Sequence, residues 1–130
     1  MKNLNNEKCE QNLDALEVER KLVDILLSVG IPAHLQGYHF LKESIKLVME
    51  NPRYISSITK IMYPTVATKF KTTACRVERA IRHALEVSYN KGKMTNLNEM
   101  FGLKLFEENE KPTNSEFVAL VADRLALEIK

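Results

Sequence analysis

The run of residues from 72 to 93, TTACRVERAIRHALEVSYNKGK, constrains the fold more than any other part of the chain. If it forms a helix, at about 100° per residue, one side carries only apolar or small side chains. These side chains are Val77, Ile81, Ala84, Leu85 and Ser88. The opposite side carries charged and polar side chains, namely Arg76, Arg79, Arg82, His83 and Glu86. The spacing therefore predicts one long helix with a buried face and a charged face.

The residues just before this run predict a second, shorter helix. It starts at Pro64 and closes near Phe70. A proline suits the first turn of a helix, where its missing N–H is not needed. Thr72 or Thr73 can then cap the long helix with a side-chain oxygen. Two helices joined by a tight turn, with arginines on the second, are typical of a DNA-binding helix-turn-helix. The turn around Lys71 lacks the glycine that is often found there.

The chain as a whole predicts an all-α domain of about six helices. Apolar residues recur at helical spacing in further segments, and glycine, proline or a capping residue delimits most of them. These segments cover residues 13–29, 37–50, 53–63 and 96–101, and a final helix that begins at the capping box Thr113-Asn114-Ser115-Glu116. Residues 103–111 are predicted to be irregular. Only four glycines, four prolines and 7% aromatic residues argue against a β-sandwich.

The length of 130 residues, with 45% apolar side chains, predicts a single domain. Residues 1–12 are polar and rich in asparagine, so we expect them to form a disordered tail or linker, and residues 13–130 to form the helical domain. In the first helix, we expect four apolar side chains to point inward: Leu16, Val23, Leu26 and Leu27.

Basic residues are concentrated in one part of the chain. Residues 60–93 hold eight basic and two acidic residues, a net charge of +6. The remaining eleven basic and fifteen acidic residues leave the rest of the chain at −4. A basic patch on an otherwise acidic domain is the electrostatic pattern of a nucleic-acid-binding protein. We also expect the arginines of the long helix to be free of acidic partners at i+4, unlike those of a merely solvated face.

Other kinds of site find little support in the sequence. His34, His39 and His83 form no HxxxH pair, so no metal site is predicted. No glycine-rich phosphate loop or nucleophile motif is present, so we expect neither a cofactor nor an enzymatic activity. Cys9 and Cys75 do not suggest a disulfide framework. With no signal peptide and no long apolar run, we expect a cytoplasmic protein that makes no membrane contact.

Four stretches of the chain resemble one known family. They are GIPAHLQGYHFLKESI, SITKIMYPTVATKF, TTACRVERAIRHALEV and KPTNSEFVALVADRLALE. Together they resemble the C-terminal effector domain of the stage-zero sporulation response regulator of endospore-forming bacteria, over residues 23–128. The run RVERAIRHA followed by KPTNSEF is far more specific than a generic helix-turn-helix.

The resemblance implies a six-helix domain that binds double-stranded DNA at a short box similar to TGTCGAA. By the resemblance, Glu78, Arg79 and Arg76 would contact bases. An arginine can donate two hydrogen bonds to guanine, and a carboxylate can accept one from cytosine. The contacts that we expect with the DNA backbone come from residues around the turn and on the same helix face: Lys60, Lys69, Lys71, Thr72, Thr73, Arg82 and His83.

The resemblance also implies protein partners. Residues 92–105 resemble the surface with which the family contacts the RNA polymerase sigma subunit. Family members often bind two adjacent boxes in tandem, as activators or repressors of transcription. Leu127 and Ile129 are left over once Leu120, Val121 and Leu125 fill the inward face of the final helix, which favours a weak homodimer on such sites.

The chain departs from the family pattern in two respects. Family members normally carry an N-terminal receiver domain with a phosphorylated aspartate, which these 130 residues do not hold. Cys75 stands where the family usually has a small hydroxyl residue, so we expect a weaker contact with the DNA backbone there.

The alternative function is a protein-interaction or antagonist domain that kept the fold and acts through a protein partner.

Overall fold

The computed structural model describes the backbone of residues 4–129 and the side chains of residues 14–129. Every regular element in this part of the chain is helical, which confirms the predicted all-α fold with about six helices. The α-helices are α1 (Leu4–Ser28), α2 (Gln36–Glu50), α3 (Tyr63–Lys69), α4 (Ala74–Asn90), α5 (Asn96–Phe101) and α6 (Asn114–Glu128). A 3₁₀ segment, Pro52–Ser57, and a π-helical turn, Ile58–Met62, connect α2 to α3.

The first helix starts earlier than the sequence predicts. α1 begins at Leu4, within the segment that we expected to form a tail. Residues 1–3 of that segment lie outside the described residues. The division of the chain near residue 12 therefore stays a prediction.

The connection between α2 and α3 differs from the regular helix that we predicted over residues 53–63. The hydroxyl of Ser56 donates a hydrogen bond to the main-chain oxygen of Arg53 at 2.8 Å. Such a side-chain bond offers the backbone an alternative to the regular helical ladder. Ser57 leaves the helical region, with φ −140° and ψ 45°. The wider turn that follows is closed by a hydrogen bond from the N–H of Tyr63 to the oxygen of Ile58, the i→i+5 bond of a π-helix.

The core forms where α2 packs against α4 and α6. The predicted stripe of α4 is buried along its whole length, which confirms that face of the helix. In α1 the prediction is partly wrong, since Leu16 and Leu27 are 47% and 50% exposed. The buried apolar residues of this segment are instead Leu22, Ile25 and Leu26 of α1, with Val29 directly after the helix, at the spacing i, i+3, i+4 and i+7.

The two helices α2 and α4 approach each other closely at Gly37. A Cβ atom at this position would lie 2.2 Å from the main-chain oxygen of Ala80 and 2.8 Å from the Cβ of Ala84. The first of these distances is far shorter than a non-bonded contact allows, and the neighbouring atom is backbone that cannot rotate away. Only glycine therefore permits this spacing, which seats the buried face of α4 on α2 and leaves its charged face outside.

We expect Gly37→Ala to destabilise the domain by about 1–3 kcal/mol, because the added methyl group overpacks the contact and forces α2 and α4 apart. Urea unfolding followed by circular dichroism measures the change. Gln36→Ala is the matched control, since Gln36 is exposed at the start of the same helix. Equal unfolding midpoints for the two variants would contradict the close approach of the helices.

Candidate nucleic-acid interface

The start of α4 is fixed by a side-chain cap. The Oγ1 atom of Thr73 accepts a hydrogen bond from the main-chain N–H of Arg76 at 3.2 Å. This confirms the prediction that Thr72 or Thr73 caps the helix and assigns the cap to Thr73. With the stripe of α4 buried, the side chains of Arg76, Arg79 and Arg82 are exposed on the opposite side. His83 is exposed beside them.

The turn between α3 and α4 is built without a glycine. The N–H of Thr72 donates to the oxygen of Ala67 at 2.9 Å, and the N–H of Lys71 donates to the oxygen of Thr68 at 3.3 Å. These two bonds form a Schellman motif, whose left-handed position is usually glycine. Here Lys71 occupies it, with φ 56°. A non-glycine residue in this region lowers the free energy of unfolding by about 1–3 kcal/mol. The exposed Lys71 therefore destabilises the turn.

The exposed cations near α4 fall into two groups. Arg76, Arg79, Lys60 and Lys71 have no ion-pair partner within the described residues. Lys69 pairs with Glu43 at 2.7 Å. The first group is free to meet an external anion without first leaving a protein partner.

Arg82 belongs to the paired group, and its partner contradicts one of our expectations. Its Nη1 atom donates to Oε1 of Glu78 at 3.0 Å, an i,i+4 pair on the same helix. The arginines of α4 are therefore not all free of acidic partners. The reason is local, because side chains four residues apart are neighbours on a helix surface. Such an exposed pair contributes only about 0.3–0.5 kcal/mol, which a phosphate group can readily replace.

Glu78 is the least accessible of the predicted base contacts. Its side chain is only partly exposed, and its carboxylate accepts the hydrogen bond from Arg82. Its main-chain oxygen also accepts a hydrogen bond from the side chain of Asn114 at 3.1 Å. Glu78 is thus held from two directions, whereas Arg76 and Arg79 extend into solvent.

The predicted site residues line two grooves and the turn between α3 and α4. On one side of α4, Arg76, Arg79 and His83 line a groove together with His34 and Gln36, which lie at the start of α2. Sequence reasoning missed His34 and Gln36 as neighbours of this face, because about 40 residues separate them from α4 and no local pattern marks them.

The second groove lies on the other side of α4, between the π-helical turn and the start of α6. Lys60 and Arg82 line it, together with Lys111 and the first residues of α6. The remaining predicted residues, Lys69, Lys71, Thr72 and Thr73, belong to the end of α3 and the turn, at the N-terminal end of α4. Thr72 is half-buried and the other three are exposed.

An acidic residue, Glu86, lies beyond the arginines along α4. Lys111 donates a hydrogen bond to Glu86 at 3.0 Å, and this bond holds the pKa of Glu86 below its ordinary value. Glu86 is therefore negatively charged at neutral pH, two turns beyond the arginine at position 79. The pair with Lys111 balances this charge at the C-terminal half of α4.

Two further features of the described residues concern other kinds of site. No group of three or more His, Cys, Asp or Glu side chains in that part of the chain could hold a metal ion. No helix among the described residues is both long and apolar enough to cross a membrane.

The chain matches a known protein family. Residues 22–125 match the family described as sporulation initiation factor Spo0A C terminal. The match runs from the second half of α1 into α6 and covers most of the chain. It confirms the resemblance drawn from the four sequence stretches. The matched family is one of DNA-binding transcription factor domains and is not a known enzyme family.

The unusual turn leads to a prediction about stability. We expect Lys71→Gly to stabilise the domain by about 1 kcal/mol, because glycine adopts the left-handed conformation without strain. Thermal unfolding should show a melting temperature raised by roughly 3–6 °C. Lys71→Ala is the matched control, since alanine keeps the strain and should leave the melting temperature nearly unchanged. A lower melting temperature for Lys71→Gly would count against the assigned strain.

Proposed function

The chain belongs to the family of the sporulation initiation factor Spo0A C-terminal domain, and we propose that this DNA-binding effector domain reads a TGTCGAA-like box with α4 in the major groove. The observation that carries the proposal is the pair of exposed arginines on α4, Arg76 and Arg79, which have no ion-pair partner in the described part of the chain. They lie on the face opposite the buried stripe, so they can enter a groove without disturbing the core.

Base recognition is assigned to Arg76, Glu78 and Arg79. An unpaired guanidinium group can donate two hydrogen bonds to O6 and N7 of guanine without first leaving a protein partner. The carboxylate of Glu78 can accept a hydrogen bond from N4 of cytosine. For this contact Arg82 must release Glu78, which frees Arg82 for a nearby phosphate.

Contacts with the DNA backbone are assigned to the turn and the residues around it. The first N–H groups of α4 and its positive dipole end attract phosphate, and Thr72, Thr73 and Lys71 lie at this end. The hydroxyl of Thr73 accepts the capping bond and can still donate its proton to a phosphate oxygen. Four outer contacts complete the set: Lys60, Lys69, Arg82 and His83. Lys69 must give up its pair with Glu43 to take part.

We also propose two protein contacts. The sigma subunit of RNA polymerase would bind residues 92–105, where Met100 and Leu103 are exposed apolar side chains. A weak homodimer would form on tandem boxes through the end of α6. Of the two apolar residues expected there, Leu127 is 56% exposed, whereas Ile129 packs partly against the core. Leu127 is therefore the better candidate for the contact.

The same exposed side chains on and after α5 favour one alternative function. A protein-interaction or antagonist domain would keep Met100 and Leu103 as its binding surface and would need no base contacts. Two DNA duplexes test this: one contains the TGTCGAA-like box (the boxed duplex), and the other has the same bases in scrambled order (the scrambled duplex). A protein-interaction domain would bind both with the same affinity. The comparison of these two duplexes therefore distinguishes the two functions.

The proposal predicts the effect of removing one base contact. We expect Arg79→Ala to weaken binding to the boxed duplex by about 1–3 kcal/mol, with much less change on a scrambled duplex. Fluorescence anisotropy at one fixed salt concentration measures both affinities. Arg20→Ala, which removes the same charge from an exposed position on α1, should leave the ratio of affinities unchanged. If Arg79→Ala also keeps that ratio, Arg79 reads no base.

Lys71 is predicted to contact phosphate rather than a base. We expect Lys71→Gly and Lys71→Ala to weaken boxed and scrambled duplexes about equally, and to flatten the slope of log K against log salt concentration by about one. Only the glycine variant gains stability, so a common loss of affinity cannot come from a change in folding. Lys104→Ala, in the exposed loop after α5, serves as the charge-matched control. An unchanged slope would remove Lys71 from the interface.

A further inference from the structure

A single side-chain amide connects three of the helices. Asn114 is the first residue of α6, and its Nδ2 atom donates two hydrogen bonds. One goes to the hydroxyl oxygen of Tyr63, the first residue of α3, at 3.1 Å. The other goes to the main-chain oxygen of Glu78 in α4, at 3.1 Å. Both protons of the amide nitrogen are therefore used, and each holds a different helix.

The start of α6 does not need this amide. The hydroxyl of Thr113 accepts a hydrogen bond from the N–H of Glu116 at 3.2 Å and donates one to the carboxylate of Glu116 at 2.9 Å. The capping residues predicted from the sequence therefore close the end of α6 by themselves. The side chain of Asn114 is left to act on α4.

The point where the amide meets α4 lies within the proposed reading face. Glu78 is flanked in sequence by Val77 of the buried stripe and by Arg79 of the exposed face. A helical carbonyl oxygen has a second lone pair, which can accept a bond from outside the helix. A bond at this point resists rotation of α4 about its own axis. Binding groups need to be held within about 0.5 Å and 10–20° of their working geometry, so this resistance matters for base recognition.

The other acceptor of the amide is a stable one. Burial raises the pKa of Tyr63, and this effect outweighs the lowering by the hydrogen bond from Asn114; the charge of Glu78 raises the pKa further and that of Arg82 lowers it. The phenol is therefore neutral at physiological pH. Its oxygen stays available to Asn114 throughout the range in which DNA binding is measured.

We propose that Asn114 is a positioning residue for DNA recognition, whose amide sets the rotation of α4 so that Arg76 and Arg79 face the base edges. The inference rests on the proposed function of α4 as the reading helix. Asn114 itself touches no DNA in this role. It acts through the main-chain oxygen of Glu78, and α6 thereby becomes part of the recognition apparatus.

The chain offers a matched control for the test. Asn96 is also the first residue of a helix, α5, and its Nδ2 atom donates to the main-chain oxygen of Ser28 at 2.7 Å. Asn96→Ala therefore removes a hydrogen bond to the end of α1 and leaves every side-chain bond to the main chain of α4 in place. Both alanine variants should lose stability in urea, and Asn96→Ala should lose less, because it removes one side-chain hydrogen bond whereas Asn114→Ala removes two.

The affinities for boxed and scrambled duplexes should differ in their response to Asn114→Ala and Asn96→Ala. We expect Asn114→Ala to reduce the ratio of boxed to scrambled affinity by roughly 2- to 10-fold, because the hydrogen bond that holds the main-chain oxygen of Glu78 is lost. Scrambled affinity and the salt slope should not change, because no phosphate contact is lost. Asn96→Ala should keep the full ratio. Tyr63→Phe, which removes the Tyr63 acceptor and keeps the bond to Glu78, should retain most of it.

A second variant keeps the test valid if Asn114→Ala does not fold. Asn114→Asp has nearly the same shape, and a carboxylate favours the N-terminus of α6. It has no amide proton, and its charge repels the oxygen of Glu78, so the ratio should fall as in the alanine variant.

Suppose that the wild-type domain distinguishes the two duplexes and a folded Asn114 variant keeps the same ratio of boxed to scrambled affinity. This result would overturn the inference and leave the proposed function intact. An equal loss of ratio in Asn96→Ala would also overturn it, since the effect would then come from lower stability. A wild-type domain that binds both duplexes equally would remove the proposed function and the inference together.

Discussion

The close contact of α2 with α4 at Gly37 is the constraint on which the rest of the domain depends. Because no side chain separates the two backbones, the stripe of α4 fits directly against the apolar face of α2. That seating determines which residues of α4 remain outside. The outward face then holds the arginines and the histidine, while α6 covers another side of α2 and contacts α4. The close packing of α2 and α4 in the core thus determines which charged side chains of α4 lie on the surface.

Several features of the basic face lower the stability of the free domain. A lysine in a left-handed turn is strained, and cations without acidic partners repel one another. In the proposed complex, the negative charge of a DNA backbone would compensate for both features. The paired cations, Lys69 and Arg82, have weak exposed partners that are easily exchanged. The exposed cations of this face are therefore available to an external anion.

Local patterns allowed much of the fold to be predicted from the sequence. The stripe of α4, the bounds of α5 and the caps at Thr73 and Thr113 all follow from residues within one or two turns. The face of α1 was partly mistaken because its apolar residues fall on more than one side. The pair between Glu78 and Arg82 was overlooked although its spacing is local. The pair of Lys69 with Glu43 and the bonds of Asn114 join distant parts of the chain, so no window of sequence contains them.

The π-helical turn before α3 has a consequence for how the length of this domain can vary. A π turn closes over one residue more than an α turn, so it is equivalent to a one-residue insertion within a helix. Loss of a single residue between Ile58 and Met62 would let the backbone return to α-helical spacing, with α3 and α4 kept in register. A deletion of the same size inside α4 would turn its buried stripe by about 100° and dismantle the core. Natural relatives that are one residue shorter are therefore expected to carry their gap at this turn.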